Sequence, residues 1–371
     1  MTHIPEITLF NWFPLSHVGG IEVYLSELVA SLSGEFKINY VFGGPISHNI
    51  ISENVTTLSF PWLSRNATIP ASIIAQSLES SLIRNSDLFI IHNPNVFQTP
   101  VISTLLDILC SYNTPVCGHV HNIGAEYITA NLILNRFTHI FTCSEFMRTT
   151  LLNTTSLTIN DITVLPYLIG LPTAADLDTH LLQSPSFHIL QPTRFCNWKG
   201  SHLSLEACVD LLDSGLDIVF HHAGLFDPTP KWDPRWSREL LLRVQNYMKV
   251  GKIFFFKYNS VDTYKTMSAY DLILHPTIGE SVWGDPNPIA LQQAVLINSQ
   301  CIGTNSGNIP NILDNTQHYI VAGTNVTALR ESIKWFCTNG IRDLKINYDS
   351  SLYNTLYNAH KLHVETYAKL I

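Results

Sequence analysis

Two basic side chains stand five residues apart between a predicted strand and a predicted helix. Arg194 and Lys199 follow the apolar run 187–190, and Gly200 separates them from a helical pattern in which Ser201 is the expected N-cap. Fixed positive charges at a strand-to-helix turn, beside the positive end of a helix dipole, suit a diphosphate. A pair of solvated loop cations would show the same pattern, so both interpretations stay open here.

The isolated acid Glu280 is the second candidate. It lies in a glycine- and proline-rich loop after a predicted strand that ends at His275, and its carboxylate could accept hydroxyls of a sugar or cap the loop. A helix is expected from about Pro288, and its first N–H groups would face a ligand above the sheet. Further into that helix, the amide of Gln293 could bind a ribose or face a neighbouring strand.

Glycine turns and one histidine complete the candidates. Gly19 and Gly20 follow the first predicted strand, where they either let the backbone approach a ligand or form a plain turn. His121 directly follows a strand and could donate to a phosphate or a sugar hydroxyl. No GxGxxG is present, which argues against a nicotinamide-dependent oxidoreductase. The histidines show neither HExxH nor a cysteine–histidine cluster, so no metal site is expected.

Alternating strand and helix patterns place these residues on two α/β halves, each a doubly wound sheet that would bind ligands at the carboxyl ends of its strands. The segment 44–70 is interpreted as an irregular excursion, and 167–185 as a linker. A final helical pattern covers 348–370. Its apolar face (Leu352, Leu356, Leu362 and Val364) requires a partner, for which the first half is the candidate. Strands are predicted at 7–10, 38–42, 88–91, 116–120, 140–142, 162–165, 187–190, 218–221, 253–256, 272–275, 301–303 and 319–321.

Composition narrows the class of protein. The chain has 371 residues, of which 46% are hydrophobic and 13% are charged, as expected of two well-packed domains. Its net charge of −8 excludes a general nucleic-acid binder, and no basic or amphipathic surface is evident, so membrane association would be peripheral at most. The seven cysteines lack paired spacing and no secretion signal is visible, which predicts a cytoplasmic protein.

In chain order, these residues resemble the retaining glycosyltransferases of family four (glycosyl transferases group 1). The resemblance covers nearly the whole chain, and the ordered set of motifs is more specific than any one of them. The matches are Gly19–Glu22 to the GGxE loop, His121 to the histidine of HD/HE, Thr193–Gly200 to GR–four residues–KG, Tyr270–Pro276 to AxADVxxxPS, Glu280 with Trp283 and Gly284 to ExFG, and Gly303–Pro310 to ATxxGGxPE.

The resemblance implies a GT-B fold with two Rossmann-like domains facing each other across a cleft. Residues 1–170, joined by a C-terminal helix at about 349–371, would form the acceptor-side domain, and 185–348 the donor domain. The enzyme would transfer a sugar from a nucleotide-diphospho-sugar to a glycan or small-molecule acceptor in glycan, polysaccharide or glycoconjugate biosynthesis. It would use neither a metal nor another cofactor.

The same resemblance implies roles for individual residues. The catalytic residues would be Arg194, Lys199, Glu280 and His121. The donor would also contact Gly19, Gly20, Gly224, Ser281, Gly284, Asn287, Ile289 and Gln293. The acceptor is expected near Asn11, Trp12, His17 and Glu126.

Several positions depart from the family pattern. The usual second Glu is replaced by Gln293, and Asp285 stands eight residues before it, so either Glu280, which we favour, or Asp285 would be the first acid. Other replacements are Asn122, Tyr167, Thr193 and Asn311. These departures motivate an alternative, a non-catalytic or weakly active sugar-nucleotide-binding relative with a scaffolding role.

Overall fold

The chain folds into two compact units, each with its own sheet. Unit 1 comprises Met1–Gly170 and Thr355–Ile371, and unit 2 comprises Leu171–Asn354. The computed structural model describes residues 3–16, 19–63, 70–79, 82–94, 99–122, 133–177, 185–224, 238–256, 263–279, 284–313, 319–321, 325–339, 345–346, 348 and 350–371.

The sheet of unit 1 has eight strands in the order β3-β4-β2-β1-β5-β6-β7-β8. All neighbours are parallel except β3 and β4, which form an antiparallel pair. Its central strands are covered on both faces and therefore consist of near-continuous apolar runs. The strands are β1 (Glu6–Phe10), β2 (Lys37–Gly43), β3 (Ser47–Ser52), β4 (Val55–Phe60), β5 (Leu88–His92), β6 (Val116–Val120), β7 (His139–Thr142) and β8 (Ile162–Val164).

Helices cover this sheet, and the last of them comes from the end of the chain. The helices that precede it are α1 (Gly20–Leu32), α2 (Ala71–Glu79), α3 (Thr99–Cys110) and α4 (Glu145–Thr154). The terminal helix α11 (Ser351–Leu370) buries Leu356, Ala359, His363 and Tyr367. The ring of Tyr367 packs against Phe36 and Phe141. The predicted association of this helix with the first half is therefore confirmed.

Two details of the first half were predicted wrongly. The segment 44–70 contains the hairpin of β3 and β4 rather than an irregular excursion. Its edge strand reads Ser-His-Asn-Ile-Ile-Ser and is mostly exposed, so it lacks the apolar pattern of a buried strand. On α11, Leu362 was predicted to be buried but is 37% exposed. The buried face is formed instead by Ala359, His363 and Tyr367, which follow one another at intervals of four residues.

Unit 2 contains a six-stranded parallel sheet in the order β11-β10-β9-β12-β13-β14. The strands are β9 (Phe187–Gln191), β10 (Ile218–His222), β11 (Ile253–Phe255), β12 (Leu272–His275), β13 (Cys301–Thr304) and β14 (Tyr319–Val321). The helices are α5 (Ser201–Asp213), α6 (Arg238–Lys249), α7 (Thr263–Ser268), α8 (Ile289–Leu296), α9 (Ile309–Leu313) and α10 (Val326–Asn339).

Two apolar clusters lie on the two faces of this sheet. One contains Ile189 and Phe220 with residues of α5, α6 and α10, and the other contains Leu190 and Ile273 with residues of α8. Successive strand residues thus enter opposite layers, as expected of a doubly wound sheet. The predicted α/β class with two parallel sheets is confirmed. Among the residues described, no helix is both long enough and apolar enough to cross a bilayer.

Candidate functional site

The loop that carries both cations leaves the middle of the second sheet. β9 lies between β10 and β12, and its last residue, Gln191, is fully buried. The Gln191 amide donates to the carbonyl of Lys199 at 2.9 Å and to the Thr193 hydroxyl at 3.0 Å. A 3₁₀ turn over Asn197–Lys199 then leads into α5. The loop is therefore tied back onto the strand end from which it starts.

Gly200 sets the direction in which the chain enters α5. Its φ is +69°, and an added Cβ would overlap the carbonyl oxygen of Pro276, so glycine is required on both counts. Gly200 is also the N-cap residue, which makes the expected capping role of Ser201 wrong. Ser201 is the first helical residue, and its hydroxyl accepts from the backbone N–H of Cys196 at 3.2 Å. The N-terminus of α5 thus stands directly behind Lys199.

Lys199 forms an ion pair with the buried carboxylate of Asp285. His275, the last residue of β12, contacts the same Oδ2 atom through Nε2 at 3.1 Å. The exposed fractions of the lysine and aspartate side chains are 12% and 9%, and His275 is almost fully buried. An ammonium, a carboxylate and an imidazole therefore meet at the carboxyl ends of β9 and β12.

Electrostatics assign charges to this group. Burial raises the pKa of Asp285, but the Lys199 charge and the His275 hydrogen bond outweigh it and hold that pKa well below its usual range. Burial lowers the pKa of His275. Ionised Asp285 thus balances the charge of Lys199, and neutral His275 adds no charge. Arg194, on the same loop, is exposed.

Two tightly packed turns position Asp285. The Asn308 N–H donates to the Asp285 carbonyl at 2.9 Å. Gly307 has φ of +59°, and a Cβ there would overlap the backbone of Asp285. Gly284 is packed in the same way against the backbone of Gly307. Both glycines are needed for this close approach.

Trp198 lies between the two cations of the loop. The Lys199 Nζ is 4.2 Å from the centre of the indole ring, and the Arg194 Cζ is 5.9 Å from it. The ring is 42% exposed. Cations over an aromatic face gain about 0.5–1 kcal/mol at exposed sites, so Trp198 helps to hold both basic groups in place.

Gly224 lies against the same loop. A Cβ at this position would overlap the backbone nitrogen of Phe195, the residue after Arg194. Its N–H donates to His222 Nδ1 at 2.9 Å, and His222 Nε2 contacts the Ser201 hydroxyl at 3.0 Å. Because an N–H donates to Nδ1, His222 carries its proton on Nε2. The end of β10 thereby supports the Arg194 loop from behind.

The predicted donor residues at the start of α8 are also buried. Ile289 is the first residue of the helix, and Asn287 accepts from the amides of Gln292 and, at 3.4 Å, Asn308. Gln293 lies one turn further along. These contacts place Asn287 beside the turn that positions Asp285.

In unit 1, His121 belongs to a buried cluster of aromatic rings. Its Nε2 lies 2.9 Å from His92 Nδ1, and its Nδ1 lies 3.1 Å from the Tyr167 hydroxyl. Its ring stacks on His119 with centroids 4.0 Å apart. Burial lowers the pKa of His121 well below its ordinary value. Both ring nitrogens therefore already have partners, and the imidazole is neutral.

The remaining candidates of unit 1 lie near the first strand. Gly19 is the N-cap of α1 and Gly20 its first residue. Asn11 is buried and donates to the Tyr40 hydroxyl at 2.9 Å. Trp12 packs into the hydrophobic core with Trp62, so its ring contributes to packing. Four predicted site residues lie outside the described residues: His17, Glu126, Glu280 and Ser281.

Sequence reasoning did not assign two members of the charged group. His275 was predicted only as the end of a strand, and Asp285 was the second choice for the first acid. Its eight-residue spacing from Gln293 was the available signal. The structure brings Asp285 to Lys199.

The comparisons with known proteins identify the fold. No family model and no curated protein matches this sequence. Among solved structures, HepE of Anabaena in complex with UDP and glucose matches with a TM-score of 0.73 and 12% identity, over 98% of this chain and 99% of that one. Sucrose-phosphate synthase of Thermosynechococcus elongatus matches with a TM-score of 0.71 and 14% identity, over 98% and 94%.

A third solved structure agrees with these two. A glycosyltransferase of Rickettsia africae matches with a TM-score of 0.70 and 17% identity, over 99% of this chain and 98% of that chain. Although the identities are low, the TM-scores of these three matches establish a shared architecture. The chain therefore has the two-domain α/β fold of GT-B glycosyltransferases.

Proposed function

We propose that this protein is a retaining glycosyltransferase, which moves a sugar from a nucleotide-diphospho-sugar to a hydroxyl group of a glycan or small-molecule acceptor. The observation that carries the proposal is the pair of cations, Arg194 and Lys199, at the carboxyl end of β9. The fold is shared with enzymes solved with UDP, UDP-glucose or ADP. Such a donor loses a nucleoside diphosphate, whose developing negative charge requires fixed positive groups.

The proposed reaction exchanges one oxygen substituent for another at the anomeric carbon. The bond to the diphosphate oxygen breaks, the acceptor oxygen bonds on the same face, and the acceptor proton leaves with the diphosphate. Arg194 is exposed and would bind the phosphates directly, while Lys199 and the N-terminus of α5 stabilise the charge that develops. These groups supply the positive charge from protein atoms, so the proposed reaction does not require a metal at the phosphates.

In this proposal the main role of Asp285 is to position Lys199, and binding of the donor is its second role. Asp285 fixes the Lys199 ammonium, and His275 orients the carboxylate from the other side. Sugar hydroxyls of the donor would be received by Asp285 or Glu280. His121 has partners at both ring nitrogens. Its proposed contribution to donor binding is therefore indirect, through the side chains against which it packs.

A second candidate function is a sugar-nucleotide-binding protein without transfer activity. The ion pair favours it, because Asp285 already balances the charge of Lys199, and Arg194 has no acidic partner among the residues that the structure describes. Gln293, in place of an acid, also weakens charged recognition of a ribose. Such a protein would bind the nucleotide sugar tightly and release no nucleoside diphosphate.

A panel of UDP-, GDP-, ADP- and dTDP-sugars in a thermal-shift assay tests binding first. The nucleotide sugar that binds in this panel is then incubated with the protein and mono- or oligosaccharide acceptors, and the release of nucleoside diphosphate is measured. Replacing Arg194 by Ala should lower kcat/KM at least tenfold, because a charge-assisted hydrogen bond contributes about 1.5–3 kcal/mol. Arg243→Ala is the matched control, since Arg243 pairs with Asp210 and Asp213 on α5.

The outcomes separate the two candidates. Binding with acceptor-dependent release that is lost in Arg194→Ala supports the enzyme. Binding without release from any acceptor favours the binding protein. Full turnover in Arg194→Ala contradicts the proposed role of the loop, and the absence of binding across the panel contradicts both functions.

We also infer a cytoplasmic location. The seven cysteines all lie within the described ranges and form no disulfide there. Burial raises the pKa of Cys208 and Cys301, so these thiols are held in the protonated form. Unpaired buried thiols are typical of a reducing compartment.

A further inference from the structure

Three histidines meet at one edge of the sheet in unit 1. His92 ends β5, His119 is its register partner on β6, and His121 follows directly after β6. One ring nitrogen from each of the three lies within 4.8 Å of the others. All three side chains are fully buried.

The hydrogen bonds around His119 determine where its proton lies. His363 Nδ1 lies 2.8 Å from the Ala359 carbonyl, which can only accept, so His363 Nε2 is an acceptor. The Tyr24 hydroxyl, 3.2 Å away, must donate to it. The Tyr24 oxygen then accepts from His119 Nδ1 at 3.4 Å. This leaves an unprotonated His119 Nε2, which is buried and has no hydrogen-bond partner.

His92 presents a second unpaired nitrogen. Its Nδ1 shares one proton with His121 Nε2 across 2.9 Å, and its Nε2 has no hydrogen-bond partner. A buried polar atom without a partner is destabilising, and the carboxyl ends of β5 and β6 carry two of them. Unprotonated imidazole nitrogens are the atoms that bind metal ions.

We propose that His92, His119 and His121 form a binding site for a divalent transition-metal ion, for which Zn²⁺ is the first test. Imidazole nitrogen suits Zn²⁺, Ni²⁺ and Cu²⁺, whereas Mg²⁺ and Ca²⁺ prefer oxygen ligands. A bound ion would satisfy the unpaired nitrogen of His119 and would replace the hydrogen bond between His92 Nδ1 and His121 Nε2. The site is distinct in its residues from the charged group of unit 2, and its test does not depend on transfer activity.

The geometry is close to that of a loaded site. Zn–N bonds of about 2.0–2.1 Å place the nitrogens of a tetrahedral site about 3.4 Å apart. The widest separation of 4.8 Å therefore has to close by at most about 1.4 Å, which rotation of an imidazole about its side-chain bonds can supply. Tyr24 lies within 3.4 Å of His119 and would fix that ring from behind.

Because the site is enclosed, loading is best measured on protein that folds in the presence of the ion. The full chain is expressed in medium supplemented with ZnCl₂, desalted and analysed for metal content, with MgCl₂-supplemented protein as the comparison. About one zinc per chain is expected. Refolding with CoCl₂ should give the visible absorption bands of a nitrogen-ligated, four- or five-coordinate Co²⁺, and these report the ligands of the unmutated protein.

Substitutions then identify the ligands. His119→Gln should reduce zinc affinity at least tenfold in a chelator competition. His188→Gln is the matched control, because His188 is also buried with both ring nitrogens unpaired but belongs to unit 2. If His119→Gln does not fold, the Co²⁺ spectrum decides. Zinc below a tenth of an equivalent in the native protein, a Co²⁺ spectrum of six oxygen ligands, or unchanged affinity in His119→Gln would each overturn the proposal.

Discussion

The two units place polar side chains at the same position in their sheets, the carboxyl ends of central strands, but stabilise them by opposite means. In unit 2 the end of β9 carries full charges, and Lys199 and Asp285 neutralise each other. In unit 1 the ends of β5 and β6 carry imidazoles that burial keeps neutral. Charge is thus held by pairing in one unit and avoided in the other.

The difference has energetic consequences. A buried ion pair is costly to desolvate and is strongly destabilising when one partner is removed. A neutral network loses about the free energy of a hydrogen bond when one member is altered. The charged group of unit 2 should therefore tolerate substitution less well than the histidines of unit 1, and the predictions below test that contrast.

The largest effect is expected from breaking the ion pair. Lys199→Ala leaves the buried Asp285 carboxylate without its ammonium and should lower the free energy of unfolding by about 3–5 kcal/mol. Urea denaturation measures this. Lys252→Ala is the control, because its pair with Asp217 is more exposed and should contribute far less.

A double substitution separates stability from function. Lys199→Met combined with Asp285→Asn removes both charges and should recover most of the lost free energy of unfolding. Binding of a nucleotide sugar should nevertheless remain weak. Equal losses in Lys199→Ala and Lys252→Ala would contradict the assignment of a buried pair.

The next effect concerns the glycine on which the charged loop depends. Gly200→Ala combines a left-handed φ with overlap of the Pro276 carbonyl and should cost more than about 3 kcal/mol. Gly215→Ala is the control: its φ is +85°, but a Cβ there meets nothing within 4 Å. It should cost only the backbone strain of about 1–2 kcal/mol.

Urea denaturation of the two glycine variants distinguishes the contributions. A difference of at least about 1 kcal/mol between them measures the overlap with Pro276. If both variants lose the same free energy of unfolding, the close approach of the two loops is not a constraint, and the proposed geometry behind Lys199 is wrong.

The smallest effect is acid sensitivity at His222, whose neutral imidazole packs under the charged loop. Burial lowers the pKa of His222 to about 3, against about 6.5 in an unfolded chain. Between these values the unfolded state binds a proton that the folded state does not. Stability is therefore retained above pH 6.5 and falls as the pH drops, by about 1.4 kcal/mol per pH unit for this group.

Urea denaturation between pH 7 and pH 5 checks this slope. His222→Asn should reduce it by close to one proton, whereas His48→Gln, at an exposed histidine of β3, should leave it unchanged. An unaltered slope in His222→Asn would mean that other groups account for the acid sensitivity.

The secondary structure of both units was largely predictable because buried parallel strands are continuous apolar runs. The strands 116–120, 272–275 and 319–321 have the predicted bounds. The hairpin at 47–60 was missed because its edge strand faces solvent and lacks that pattern. Exposed Ile50 and Ile51 there carry no signal of a buried face.

The site was predictable only where chemistry follows local spacing. Arg194 and Lys199 could be identified because five residues and one turn separate them. Asp285 reaches Lys199 only because the turns at Gly284 and Gly307 pack against each other, which no local pattern specifies. The histidine cluster escaped a search by spacing because His92 and His119 are neighbours across two strands and lie 27 positions apart in the chain.

The return of α11 to unit 1 determines how the molecule can be divided. Residues 171–354 form one uninterrupted stretch, whereas unit 1 is assembled from both ends of the sequence. Unit 2 is in effect an insertion, which could be exchanged as a cassette through two junctions. Affinity tags fused at the two ends of the chain would both be attached to unit 1. Deletion of the last seventeen residues would remove part of unit 1, although the rest of that unit is formed by the first 170 residues.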